Sequence, residues 1–235
     1  MFTLPKKRMP LIDTMSAIFS CWKSLVLPLL PLSFLCIFLT RIPVFIAKHW
    51  SLIPEHIALV ALLYAICYAI YLIPSGAIIT RISHSLHGKT LTSVEAIKIS
   101  LSRFLKMFLL SIILLAIMYI LARVGLLFSH INPKLGLGIA FLFIVIASPY
   151  LIPANPLVVI DNKWPHVAIV TGFRLVNNNW GSVFVVLLVI SLITIAVNKI
   201  ASLLGLTAMF VADLFILPLT LSMAVMITEN LKLSK

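Results

Sequence analysis

Six long apolar stretches dominate this chain, and short amphipathic segments separate some of them. The apolar stretches run at about 24–47, 57–80, 107–128, 136–160, 181–198 and 201–228, each almost free of charge. Runs of this length and polarity predict membrane-spanning helices. The first and third each carry one basic residue near an end, Arg41 and Arg123. A long side chain there can snorkel to the interface.

A 3.6-residue period replaces uniform apolarity between some of the stretches. Thr92-Ser93-Val94-Glu95 fits a capping box, with Thr92 as the cap and Glu95 reaching back. Val94, Ile97, Leu101, Phe104, Leu105 and Phe108 then recur at helical spacing, with Glu95, Lys98, Ser102 and Lys106 opposite. Near the start, Asp13 is a plausible cap for a stripe of Met15, Ile18, Trp22 and Leu25. Pro165 suits a first helical turn before Ile169, Phe173, Val176 and Trp180. Asn177-Asn178-Asn179 reads as the end of that helix. Such helices lie in the membrane interface, with aromatic residues at headgroup level.

The same marks return along the chain. Ala17-Ile18 recurs as Ala96-Ile97, and Tyr71-Leu72-Ile73-Pro74 recurs as Tyr150-Leu151-Ile152-Pro153, both 79 residues on (17 to 96, 71 to 150). A looser third copy has Ala168-Ile169 and Phe215-Ile216-Leu217-Pro218. Internal repetition is an architectural signal. It predicts an all-α integral membrane protein of six transmembrane helices arranged as three parallel repeats. Each repeat is an interfacial amphipathic helix plus a transmembrane hairpin, at about 11–81, 90–161 and 162–228 within a single membrane domain, 1–235. The third copy is shorter, and its missing residues fall in the outer turn around Asn198-Lys199. Repeats running the same way are related about the membrane normal.

Composition agrees: 62% of residues are hydrophobic, 10% are charged, and mean hydropathy is +1.19. Six spans leave no room for a separate soluble catalytic domain. The start makes a poor secretory signal, because Lys6-Lys7-Arg8 lies far ahead of an apolar run longer than a signal core. A net charge of +12 would suggest nucleic acid in a soluble chain. Here thirteen of the eighteen Lys and Arg fall on one side of the six spans: in the N-terminal tail, the second and fourth connections and the C-terminal tail. The positive-inside rule makes both termini cytoplasmic. The partners this implies are the lipid bilayer and anionic phospholipid headgroups, with no nucleic acid. The candidate lipid contacts are Lys6, Lys7, Arg8, Lys98, Arg103, Lys106 and Arg174.

Pro156-Leu157-Val158-Val159-Ile160-Asp161, then Ala168-Ile169 and Phe173-Arg174-Leu175-Val176-Asn177-Asn178-Asn179-Trp180, resembles a recurring pattern. That pattern is a proline-bearing span, an acidic turn, an interfacial helix of the type AL-x-x-S-x-x-L-x-x-x-N-W, and another span. It is typical of the YciC-like bacterial inner-membrane proteins and of the membrane domain of certain glycerophosphodiester phosphodiesterases. The segment 93–106 running into the third span is similar to the corresponding family segment. The resemblance implies a six-helix protein of the bacterial cell inner membrane. Phosphodiesterase activity in the second group belongs to a soluble domain that this chain lacks, and the resemblance transfers no catalytic residue.

Asp213 is the sharpest candidate for chemistry. It lies twelve residues beyond Ala201, or ~18 Å into the last span. A carboxyl at such depth costs roughly 2.5–3.5 kcal/mol on insertion scales and should face the bundle interior or water. It is either a proton, cation or substrate-amine site, or a packing group hydrogen-bonded to a Ser, Thr or Asn of another helix. Pro149, Pro153 and Pro156 punctuate the fourth span around Asn155, with Pro74 and Pro218 in matching places. Broken helices line cavities in transporters, and they also occur as plain kinks. His84 and His87 lack further metal ligands nearby. Cys21, Cys36 and Cys67 have neither paired spacing nor a His partner, which predicts packing residues. The sequence contains no phosphate loop, no nucleophile elbow and no H-E-x-x-H motif. We therefore expect no enzyme, no metal and no cofactor. The leading expectation is a membrane protein supporting envelope or lipid homeostasis, alone or with a membrane-protein partner. The alternative is a transporter or lipid carrier, with a cavity at the kinked even-numbered spans and Asp213 as its ionisable group.

Overall fold

A computed structural model describes residues 9–50, 57–128 and 132–233. Those residues form nine α-helices and no strand: α1 (Leu11–Trp50), α2 (Ile57–Leu86), α3 (Ser93–Ser102), α4 (Phe104–Leu127), α5 (Pro133–Leu151), α6 (Ala154–Val159), α7 (Pro165–Asn177), α8 (Trp180–Leu204) and α9 (Leu206–Lys232). Six segments are long and apolar enough to cross a membrane: Leu11–Ile46, Ala58–Leu86, Phe104–Leu127, Lys134–Val159, Trp180–Leu204 and Leu206–Lys232. Much of their apolar surface faces outward, with Leu115 and Leu203 at 75% and 78% exposure. That suits acyl chains as the surrounding solvent.

Consecutive spans pair as hairpins, α1 with α2, α4 with α5, and α8 with α9. α3 lies on α2, and α7 lies on α5 and α6. The long α1 packs along α9, joining the first hairpin to the third. At one end α2, α6 and α9 converge, burying Ile78, Ile82, Leu157, Val158, Val225 and Met226. At the other end the turn residues Leu203, Leu204 and Leu206 are exposed, as are Leu126 and Leu127.

Local signals explain several boundaries. The Thr92–Glu95 capping box is formed in both directions, and Pro165 opens α7. α3 ends at Arg103 (φ −108°, ψ 3°), and α7 ends as it enters Asn178-Asn179. No equivalent break divides α1, whose amphipathic start continues into the span as one helix. Two hydroxyls farther along it bond within the helix, Ser33 donating to the Leu29 carbonyl and Thr40 to that of Ile37. Asp13 is not the cap of α1. It lies in the first turn, where a carboxylate favours the positive helix end.

One span boundary differs from the sequence reading. α8 continues through Asn198 and Lys199, and the outer turn falls at Gly205, whose φ of 102° favours glycine. The fourth span is divided at Ile152-Pro153 into α5 and α6, because proline supplies no backbone donor there.

Candidate functional site

The later turn shortens the last span at its N-terminal end. Asp213 is therefore seven residues into α9, ~10 Å from its start, rather than twelve residues into the span. Its partner is a charge, not a hydroxyl or amide: Arg41 on α1 donates through Nη2 to Asp213 Oδ2. Arg41 is thus an intramolecular partner and not a lone snorkelling group. Opposite charges placed at similar depth in separate spans are the signal that points to this pair.

Pro74, Pro153, Pro156 and Pro218 are buried, and Asn155 is half-buried beside them. Carbonyls of these bent turns accept side-chain donors: Ser100 to Ile73 at 2.7 Å, Trp22 to Phe215 at 2.9 Å, and Trp180 to Ile146 at 3.2 Å, ahead of Pro149. Three clefts are lined by none of these prolines, by neither Asn155 nor Asp213. One lies between α1, α8 and α9, one at the outer end of α8 and α9, and one between α1 and α2.

The converging end carries a polar network that sequence reasoning did not assemble. Lys232 Nζ donates to Asp161 Oδ1 at 2.7 Å and to Glu229 Oε1 at 2.8 Å. His87 Nε2 lies 3.9 Å from the other oxygen of Glu229, and Lys163 lies 3.8 Å from Asp161. Two carboxylates distant in sequence thereby share one ammonium. The network ties the α6–α7 connection to the end of α9, with the end of α2 alongside. It neutralises charge where three helix ends meet.

The expected lipid-facing cations divide into two groups. Lys98 and Arg174 are exposed and make no hydrogen bond or ion pair among the described residues. Arg103 instead donates to the Ile160 carbonyl at 3.2 Å. Lys106 donates to the Asn162 carbonyl and side chain at 2.9 and 2.8 Å, and lies over the Trp164 ring. These two cations hold the chain where α6 ends, as cations favour helix C-termini. Lys6, Lys7 and Arg8 lie outside the described residues.

The predicted faces of α3 also resolve. Ala96 and Ser100 are its buried seam, while Val94, Leu101 and Leu105 are 55–63% exposed. The apolar stripe is therefore split: Val94, Leu101 and Leu105 (the last already on α4) face outward, while Ile97, Phe104 and Phe108 pack against the core. Among the described residues no three His, Cys, Asp or Glu converge to hold a metal, and the three cysteines are free and buried.

Six apolar spans, paired as hairpins around a buried end, define an α-helical multi-pass membrane protein. No family model matches the chain, and no curated protein or solved structure does either.

Proposed function

We propose that the chain is a non-enzymatic, YciC-like protein of the bacterial inner membrane with both termini cytoplasmic. It supports envelope or lipid homeostasis, alone or as a subunit with a membrane-protein partner. Three parallel repeats are its architecture. A recurring seam supports that reading. Ala17 and Cys21, Ala96 and Ser100, and Ala168 and Gly172 are small pairs four residues apart, and all six are buried. Such pairs let helices approach closely. Each seam meets the preceding even-numbered span near its proline, with the first copy closing on the third. Ser100 reaches the Ile73 carbonyl, a Cβ on Gly172 would lie 3.2 Å from the Tyr150 carbonyl, and Cys21 faces Ser222.

The observation that carries the functional reading is the three-way division of α3. Its small seam meets protein, Val94 and Leu101 of its apolar stripe are exposed while Ile97 packs inward, and Lys98 is exposed on its polar side. A helix so divided suits the boundary between acyl chains and anionic headgroups. The test is Lys98→Glu combined with Arg174→Glu in cells whose deletion mutant has an envelope defect. The charge-reversed protein should carry less phosphatidylglycerol through purification and fail to restore the envelope. Undiminished lipid and full complementation would overturn the reading.

A carrier is the second reading, favoured by the ionisable pair Arg41–Asp213 between two spans. Asp213→Asn in a folded protein should then abolish transport.

A further inference from the structure

Three polar bridges join neighbouring helices at the converging end, and they differ in charge. At the first, Arg81 of α2 reaches across, donating to the Pro28 carbonyl at 2.6 Å and to Ser93 Oγ at 2.9 Å. At the second, Arg103 and Lys106 occupy the corner around Ile160 and Asn162. At the third, between α9 and the start of α1, the bridging group is neutral. Asn230 accepts from the Met9 N–H at 2.8 Å and donates to the Met9 carbonyl and to Thr14 Oγ1 at 3.2 and 3.0 Å. No side-chain cation enters there among the described residues.

Beside that amide clamp is a cleft of about 380 Å³ between α1, α8 and α9. Its floor is apolar and buried, made by Val183, Val186 and Ile227. Its rim carries Ser182, which is exposed, and among the described residues its lining contains no charged side chain. The volume lies within the range of sites that take small organic ligands. A slot at the end of two membrane spans whose described lining is apolar below and hydroxyl-bearing at the rim is complementary to the glycerol-ester and acyl part of a lipid. Ester oxygens would meet the Ser182 hydroxyl, and methylenes would lie along the valines.

We infer that this cleft holds one membrane phospholipid by its glycerol-ester region and the upper part of one acyl chain. The inference rests on the lipid-related reading above and names the place where a single lipid would be retained.

The full-length protein would be reconstituted into vesicles of phosphatidylethanolamine and phosphatidylglycerol. A trace of phosphatidylethanolamine bearing a diazirine high on one acyl chain would be the probe. After irradiation, adducts are mapped by peptide mass spectrometry. Peptides containing Val183, Val186 and Ile227 should be labelled several-fold more than the peptide with Leu115 and Tyr119, which are exposed on α4. Val186→Trp should reduce cleft labelling to that background. Ser182→Trp, at the exposed rim where folding is not at stake, should do the same. Equal labelling of the two regions would overturn the inference, as would undiminished labelling of the Trp variants. A cross-link from p-benzoylphenylalanine at 182 to protein rather than lipid would also overturn it. The envelope reading fails separately, on the complementation result, whether or not the cleft adduct forms.

Discussion

Arg41 on α1 and Asp213 on α9 are joined side chain to side chain across the interface between the first and third hairpins. Each charge alone is costly at membrane depth, and pairing removes much of that cost. The Arg41 and Asp213 side chains keep 38% and 26% of their exposure, so the pair stands between a surface and a buried salt bridge.

Replacing Asp213 by Leu leaves Arg41 uncompensated and should destabilise the protein by about 1–2 kcal/mol, less than a fully buried pair would lose. Asp213→Asn should cost less, because a hydrogen bond survives. The double variant Arg41→Leu with Asp213→Leu should recover most of the loss. Thermal unfolding in lipid nanodiscs reads all three. Additive losses in the double variant would mean that the two residues do not act as a pair.

Gly125 and Gly138 lie on the facing helices α4 and α5 but answer to different surroundings. A Cβ at Gly125 would come within 2.3–2.4 Å of Ala140 atoms, backbone included, whereas one at Gly138 would meet nothing within 4 Å. Gly125→Ala should therefore cost about 1–3 kcal/mol through overpacking. Gly138→Ala should be neutral or stabilising by up to about 1 kcal/mol, because alanine favours the helix. Equal effects in the same unfolding measurement would refute the close α4–α5 approach.

Ser222 and Ser100 are both fully buried, and only one is satisfied. Ser222 Oγ makes no conventional hydrogen bond among the described residues and faces the Cys21 thiol, while Ser100 Oγ donates to Ile73. Removing an unsatisfied hydroxyl should be neutral or stabilising, whereas removing a bonded one should cost about 1 kcal/mol. Ser222→Ala and Ser100→Ala should therefore shift the melting temperature in opposite directions, or only the latter should shift it.

The start of α3 should be acid-sensitive. The backbone N–H and hydroxyl of Thr92 donate to Glu95 and hold its carboxyl below the usual range. Because the folded carboxyl titrates below its unfolded value of about 4.3, its contribution is complete above that value. It is lost as pH falls through the folded one. Hydrogen-exchange protection of the first turns of α3, corrected for intrinsic rates, should drop below about pH 4 in the wild type. In Thr92→Ala it should be low throughout, and an unchanged wild-type profile would contradict the cap.

The spans were legible because apolar runs of such length have few other readings. Thr92, Glu95 and Pro165 announced their helix starts because capping is local chemistry. Non-local features were harder to read. The α1 helix runs on where a break was expected, straight through Lys23-Ser24, the polar pair that stands 79 residues before Ser102-Arg103. The polar pair Asn198-Lys199 drew attention from Gly205, the residue whose backbone makes the turn. That shift of the turn leaves Asp213 closer to the start of the last span. Ala96 and Ser100 form the protein-facing side of α3, a seam visible as small residues at i and i+4 but masked by the larger stripe beside it. Arg103 and Lys106 are bound to carbonyls that only the fold brings near.

The most direct test is sidedness. In a chain with its native cysteines replaced by alanine, single cysteines would be placed at Lys89, Lys163, Lys134 and Leu204. Intact spheroplasts would then be treated with a membrane-impermeant maleimide. Labelling at 134 and 204 without permeabilisation, and at 89 and 163 only after it, is the predicted result. Labelling of 89 or 163 in intact spheroplasts would contradict six spans with the converging helix ends on the cytoplasmic side.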